Sequence, residues 1–336
     1  MNIHIKNADV YTPSGLLRTD VMVSSGRVVS MGEDCASHRA DRVIDAVGLT
    51  LLPGLTDMHV HFREPGYSYK ETIATGCSAA AAGGYTMVCT MPNVNPAPDS
   101  IEHLRVQSEL IEAAGSDVAV IPYATITTRR MGKDFPDYEA LAPYVAGFSD
   151  DGTGVQSAEV MREAMHRIAA TGRIVAAHCE VDALLDGGYI HKGEYAARHG
   201  HKGISSESEW REIERNIELA APTGCRLHIC HISTSEGVEL VRQAKKEGLD
   251  VTCETGPHYL WFSDMDLQED GRFKMNPPLR SPSDRESLCE GVMDGTIDVI
   301  ATDHAPHSGA EKSKGLAGSA MGVVGLETAF GAVYTR

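Results

Sequence analysis

Six residues carry most of the chemical information in this chain: His59, His61, Asp151, His178, His231 and Asp303. His59-x-His61 closes the apolar run that begins at Leu51. On a β-strand, side chains two apart share a face, so these imidazoles can address one metal ion. Taken alone, such a pair is an ordinary polar strand position. Three more apolar runs end the same way, at His178, His231 and Asp303, and Asp151 follows Gly147-Phe148-Ser149-Asp150. Singly, these read as a hydrogen-bonded core His, a cap or a turn residue. Jointly, five strand ends supplying metal-ligand types point to a metal centre. Four His and two carboxylates exceed the needs of one hydrolytic metal with an open position; they suit two metals bridged by a carboxylate. Strand parity does not separate Asp150 from Asp151, because neither register is clearly more apolar. No G-x-S-x-G elbow, P-loop or dinucleotide fingerprint is present, and neither His258 nor the Cys residues show a nucleophile signature, so a metal-bound hydroxide is the consistent chemistry.

Other residues near these run ends could hold a substrate. Arg63, two beyond His61, offers a fork for a carboxylate; its plain alternative is a loop Arg on the surface. Asn93 in Thr90-Met91-Pro92-Asn93 and Asn276 in Met275-Asn276-Pro277-Pro278 could hydrogen-bond a carboxylate or amide, or simply serve turns. His307 could contact an anion, and His304 fits that role equally by composition. Lys70 and Glu71 read as the start of a solvated helix. His228 has strand parity opposite to His231 and reads as facing surrounding helices. His191, His199 and His201 fall in a loop and receive no role.

The elements that must position these groups form a β/α alternation. Strands are expected at 54–61, 85–91, 117–124, 145–150, 173–179, 226–232, 249–254 and 297–303. Helices are expected at 71–82, 100–114, 157–171, 207–221, 235–247 and 282–294, with a short connection around 137–143. Eight such strands argue for an α/β fold of the (β/α)8 TIM-barrel type over 54–336, whose functional residues sit at strand C-terminal ends. Residues 1–53 read as a small N-terminal β-domain with a hairpin at Ser24-Ser25-Gly26. Long connections at 180–206, 255–281 and 305–322 are candidates for lids or binding loops.

Bulk properties narrow the partners. The 336 residues are 42% hydrophobic, enough for a large core. A formal net charge of −17 argues against nucleic acid, which calls for a basic patch. The eight Cys include no C-x-x-C pair and mostly sit in apolar runs, as buried thiols in a reducing cytoplasm would. The N-terminus lacks a signal-peptide core and no stretch approaches 18 apolar residues, so a cytoplasmic protein off the membrane is expected.

Pro53-Gly54-Leu55-Thr56-Asp57-Met58-His59-Val60-His61 resembles the strand-one signature of the amidohydrolase superfamily. Together with His61-Phe62-Arg63-Glu64-Pro65-Gly66, Met91-Pro92-Asn93, Ser149-Asp150-Asp151-Gly152, Met275-Asn276-Pro277-Pro278-Leu279-Arg280 and Ala301-Thr302-Asp303-His304-Ala305-Pro306-His307, it is similar to class I bacterial dihydroorotases. The resemblance implies reversible cyclisation of N-carbamoyl-L-aspartate to L-dihydroorotate in pyrimidine biosynthesis, with two zinc ions and a bridging hydroxide. It implies that His59, His61 and Asp303 hold one zinc, His178 and His231 the other, and Asp151 bridges. Asp303 would shuttle the proton. Arg63, Asn93 and His307 would bind the substrate carboxylate, with His61 nearby, and Asn276 the ring amide. Met321-Gly322 stands where the family has a Phe-Gly pair that touches the ring. The segment after strand four offers no Lys to be carboxylated, which favours this branch over the hydantoinases. The remaining alternatives are another cyclic amidase (hydantoinase- or allantoinase-like), a non-catalytic scaffold partner of aspartate carbamoyltransferase, and an inactive fragment. Homo-oligomerisation, with aspartate carbamoyltransferase as a possible partner, also follows from the resemblance. So does a chain cut in the last barrel helix, without the C-terminal strands that return to the N-terminal β-domain.

Overall fold

A computed structural model describes all 336 residues, which divide into two units, Met1–Leu55 and Thr56–Arg336. The first unit is a sheet of β1 (Asn2–Thr12), β2 (Gly15–Ser24), β3 (Arg27–Met31), β4 (Arg42–Asp45) and β5 (Thr50–Leu51). The strand order is β3-β2-β1-β4, with β5 also pairing β1. The expected hairpin joins β2 to β3. Ser24 pairs with Arg27, and the two turn residues, Ser25 (φ 49°) and Gly26 (φ 75°), are both left-handed. Such turns match the twist of the flanking strands. Ala8, Val10, Val21 and Ala46 form a small core, while Tyr11, Leu16, Val28 and Val43 are more than half exposed.

The second unit holds eight parallel strands close to their expected positions. The first group is β6 (Leu55–Val60, starting at the unit boundary), β7 (Tyr85–Thr90) and β8 (Ala119–Pro122). The second group includes β9 (Gly147–Phe148) and β10 (Ile174–Ala177). A two-stranded ribbon, β11 (Ile190–His191) and β12 (Gly203–Ile204), then interrupts the long 180–206 connection. β13 (Arg226–Ile229), β14 (Val251–Thr255) and β15 (Val299–Ile300) complete the second group, in the order β9-β10-β13-β14-β15. Isolated parallel bridges connect the groups on both sides, Ala124 to Phe148 and Val60 to His304. The second seam is secured by His61 N–H donating to His304 O at 2.8 Å.

Helices α1 (Ile73–Ala82), α2 (Ile101–Ala114), α3 (Tyr138–Leu141), α4 (Ala158–Ala170), α5 (Glu194–His199), α6 (Glu207–Thr223), α7 (Ser235–Lys246), α8 (Pro257–Trp261) and α9 (Pro282–Met293) lie between or beside the strands. Shorter helices α10 (Gly309–Lys312) and α11 (Gly315–Gly318) fall within the 305–322 connection, followed by α12 (Ala329–Thr335). The sequence starts five of the connecting helices with a hydroxyl residue: Thr72, Ser100, Ser157, Thr234 and Ser281 each accept the amide three residues on. No helix is long and apolar enough to cross a membrane.

Both strand faces are buried, as parallel sheets require. Val175, Leu227, Ile229 and Val251 join the large cluster shared with the helices. Cys89, Met91, Tyr123, Ala176 and Cys230 form a second cluster, on the opposite face of β10 and β13. Phe62 is fully buried and packs against Gly76 of α1, where a Cβ would collide with the ring. Gly76→Ala should gain about 1 kcal/mol of helix propensity. Overpacking against a fixed ring costs about 1–3 kcal/mol. The variant is therefore expected to unfold at lower urea than the parent; an unchanged or higher midpoint would show that the ring can move.

Candidate metal centre and cavity

Asp57, His59 and His61 alternate along β6 and its exit, so all three project to one side. His59 Nδ1 donates to Glu254 Oε1 at 2.5 Å, and His61 Nδ1 donates to Asn93 Oδ1 at 2.8 Å. Those bonds leave two Nε2 lone pairs facing each other at 3.2 Å. Asp303 Oδ1 lies 3.0 Å from His61 Nε2 and 3.5 Å from His59 Nε2. Asp151 Oδ2 lies 3.3 Å from His61 Nε2. On the other side, Asp151 Oδ1 is 3.5 Å from His178 Nδ1 and 3.3 Å from His231 Nε2, and these imidazole nitrogens are 2.9 Å apart. All six side chains are nearly inaccessible to solvent.

Lone pairs and carboxylate oxygens converging in a dry space repel unless cations lie among them. Protonation answers part of this demand. Burial pulls the His59 pKa down, but Asp151 and Glu254 outweigh it and hold it well above the usual imidazole range. His178 likewise rises to about 10 against burial, through Asp151 and Glu180. Burial raises Asp151, yet His59, His178 and His231 hold it well below the usual carboxylate range. The donor set, imidazole nitrogen and carboxylate oxygen in two groups of three that share Asp151, is one that divalent transition metals accept. The residues therefore fit a two-metal centre.

Asp150 is engaged elsewhere. Its carboxylate accepts Ile126 N–H at 2.8 Å and Thr127 N–H at 3.0 Å, and also the Thr127 hydroxyl. It ties the loop after β9 to the loop after β8, while the next residue turns to the histidines. Arg130 supports the same loop by donating to Asp151 O at 2.7 Å.

The expected substrate residues line one cavity of about 230 Å³, whose walls include His61, Arg63, Asn93, Asn276, His307, Met321 and Gly322. Arg63 is buried, and Nε donates to Pro306 O at 3.0 Å. His307 donates from Nε2 to Met321 O at 2.7 Å and accepts Lys70 Nζ at Nδ1, 3.1 Å away. Burial, Arg63 and Lys70 push its pKa down to about 4, so it is neutral near pH 7. Asn276 Nδ2 donates to Glu180 Oε2 at 3.1 Å, and its buried Oδ1 has no partner. An unfilled acceptor on a cavity wall calls for a ligand N–H.

Several expectations need correction. His228 does not face the helices. Its Nδ1 meets Thr252 Oγ1 at 2.8 Å, and its Nε2 is 3.2 Å from Glu254 Oε2, whose other oxygen holds His59. Parity misleads because His231 adopts a left-handed backbone (φ 34°), which ends the alternation and turns its side chain inward as well. Asp303 has the same kind of backbone, φ 48°. Lys70 and Glu71 do not start a solvated helix; α1 begins at Ile73. Lys70 pairs with Glu311 at 3.0 Å and with His307, and Glu71 with His304 Nε2 at 2.9 Å. That pairing, with Gly325 N–H donating to His304 Nδ1, occupies both nitrogens of His304.

Three supporting residues were missed. Glu254 ends a strand candidate with a carboxylate, the same signal that singled out Asp303. Asp57 precedes His59 by two on the same face, and it accepts Thr302 N–H at 3.1 Å and His59 N–H at 3.0 Å. Glu180, two beyond His178, lies 3.6 Å from His178 Nε2.

Comparison with known proteins places the chain in a family. The family model described as "Dihydro-orotase-like" matches residues 48–237. The dihydroorotase of Bacillus caldolyticus is 48% identical over all of this chain and 79% of its own length. That of Fusobacterium nucleatum is 45% identical over 99% of this chain and 78% of its own. Among solved structures, L-hydantoinase (dihydropyrimidinase) from Arthrobacter aurescens matches with a TM-score of 0.85 and 27% identity, covering 98% of this chain and 76% of that one. Dihydropyrimidinase from Brevibacillus agri matches at 0.83 and 22%, covering 99% and 76%, and so speaks for the fold alone. Fold, donor set and relatives together define a cyclic amidohydrolase with an α/β fold of the hydantoinase type. Within that class, the chain belongs to the dihydroorotase family.

Partners that orient metal-binding imidazoles typically change metal affinity 10- to 100-fold when removed. Glu254→Gln should therefore weaken metal retention by roughly that factor. Asp150→Asn should keep the metals, and Asp151→Asn should lose them. Competition with a chelator, read by metal analysis, checks all three; metal loss in Asp150→Asn and retention in Asp151→Asn would invert the assignment.

Proposed function

We propose that this chain is a zinc-dependent dihydroorotase, interconverting N-carbamoyl-L-aspartate and L-dihydroorotate in de novo pyrimidine biosynthesis. The observation that carries the reading is a single cavity joining five of the six donor residues, all but His59, to a buried Arg63 and an unpaired Asn276 acceptor. In this reading β6 to β10 and β13 to β15 form a closed (β/α)8 barrel over 54–336, supported by the parallel bridges at both seams. Residues 1–53 belong to a composite β-sandwich.

His59, His61 and Asp303 would hold one zinc, His178 and His231 the other, with Asp151 shared. Two bound zinc ions supply Lewis acidity and ionise water at neutral pH. The remaining work falls to the protein. Arg63 meets the ring carboxylate with a guanidinium that burial has already stripped of water, together with the Asn93 amide; neutral His307 borders the carboxylate and holds the Met321 wall beside it. Asn276 Oδ1 accepts a ring N–H. The Met321-Gly322 backbone borders the ring and His61 stands beside it. In hydrolysis, water oxygen bonds to the ring carbonyl carbon and its proton passes to Asp303. Asp303 then protonates the departing ring nitrogen as the C–N bond breaks. In cyclisation, the ureido nitrogen attacks the side-chain carboxyl carbon and passes its proton to Asp303, which returns it to the departing hydroxyl oxygen as the C–O bond breaks and water leaves.

A hydantoin ring brings no carboxylate to Arg63, and Ser149-Asp150-Asp151-Gly152 brings no Lys to bridge metals, so both features favour dihydroorotate over hydantoin or allantoin. The complete set of six ligand residues argues against a scaffold role. Buried cysteines without disulfides suit the cytoplasm. Homo-oligomerisation and pairing with aspartate carbamoyltransferase follow from the family resemblance.

Turnover of dihydroorotate, hydantoin and allantoin by the zinc-loaded protein is the test. Dihydroorotate is expected to be the strongly preferred substrate; activity on hydantoin with none on dihydroorotate would sink the reading. Asp303→Asn should stay folded and lose nearly all turnover, and near-normal rates would refute its proton role.

A further inference from the structure

The connection 305–322 supplies His307 and the Met321-Gly322 backbone to the cavity, and one of its own side chains binds its end to a neighbouring segment. Lys312 Nζ lies 2.7 Å from Gly322 O, 2.9 Å from Ala320 O and 2.9 Å from Lys274 O. An ammonium has three donors, and here each finds a carbonyl. No carboxylate pairs with it in the structure, so its charge is spent on backbone. Gly322 N–H adds a bond to Lys274 O at 3.1 Å. Lys274 stands two residues before Asn276, and its own ammonium donates to Ala317 O at 2.8 Å. Gly322 sits at φ 143°, and a Cβ there would collide with Ala305 O. Met321 O accepts His307 Nε2. The wall that places His307 thus joins the segment carrying Asn276 through three bonds, from Lys312 Nζ, Gly322 N–H and Lys274 Nζ, and of these donors Lys312 alone also ties that wall together from within.

We propose that Lys312 is a positioning residue for substrate, its ammonium clamping the Met321-Gly322 wall to the segment that carries Asn276. This rests on the assigned dihydroorotase reading for its kinetic consequence. The clamp touches no residue of the donor set. Loss of the ammonium should therefore loosen substrate binding while leaving metal retention and the proton path intact.

The test compares zinc-loaded wild type, Lys312→Met and Lys312→Arg. In Lys312→Met, KM for dihydroorotate is expected to rise about tenfold with kcat within about threefold, the pattern of lost substrate binding. Metal content should match wild type. Hydrogen exchange, read without substrate, should quicken at amides 313–322 and stay unchanged at 57–61. Lys312→Arg, which keeps a charged donor, should recover most of the KM. A wild-type KM or wild-type exchange in Lys312→Met would overturn the proposal, as would metal loss in that variant. If wild type fails to turn over dihydroorotate, the functional reading fails; the clamp is then judged by exchange alone, and unchanged exchange sinks it.

Discussion

Charge compensation around Asp151 is the constraint to which the rest of the second unit answers. One buried carboxylate lies within 3.5 Å of nitrogens from His59, His61, His178 and His231. A buried anion is tolerable only if paired, and a cluster of bare imidazole lone pairs only if cations sit among them. Everything nearby serves that balance. Glu254 and Asn93 fix the orientation of His59 and His61, Glu180 lies against His178, and Asp150 and Arg130 hold the loop from which Asp151 extends. The apolar floor of Cys89, Met91, Tyr123, Ala176 and Cys230 keeps the local dielectric low, which strengthens each of these interactions.

The backbone is adapted to the same end. A parallel strand delivers alternate side chains to alternate faces, and His231 and Asp303 would be misdirected by simple continuation. Both take left-handed backbone conformations, which non-Gly residues adopt sparingly. Such conformations cluster where function requires them and the surroundings hold them. For Asp303 the hold is visible: Thr302, immediately before it, donates its amide to buried Asp57.

The sequence made the architecture largely legible. All eight strands and six long connecting helices lie within a few residues of their expected places, because short apolar runs and hydroxyl N-caps are local signals. Five of the candidate centre residues were also legible, since His59, His61, His178, His231 and Asp303 stand at the ends of apolar runs; Asp151 was not separable from Asp150. Arg63, Asn93, Asn276 and His307 stood out by chemistry and nearness to those run ends, with turn or surface readings still open; Met321 and Gly322 needed the family resemblance, because loop residues carry no periodicity to mark them. What parity could not reveal was orientation after a left-handed residue, hence the misreading of His228. Composition also could not say which polar groups face one another across the fold. Asp150 and Asp151 look alike until the amides of Ile126 and Thr127 claim one of them. Lys70 and Glu71 look solvated until His307 and His304 arrive from 233 and more positions away.

The Asp57–Thr302 contact has a consequence for assembly. It spans 245 positions of sequence and lies at the seam where Val60 meets His304. Bringing such distant segments together costs loop-closure entropy that grows with the logarithm of the intervening length. Local strand pairing recovers little of it there, because β15 has only two residues and the chain beyond it meets β6 in a lone bridge, His304 to Val60. His59 and His61 stand on one bank of that seam and Asp303 on the other. A divalent ion held by both banks, as the proposed function has it, would fasten the fold as well as serve the chemistry, and loading it would be coupled to joining the seam.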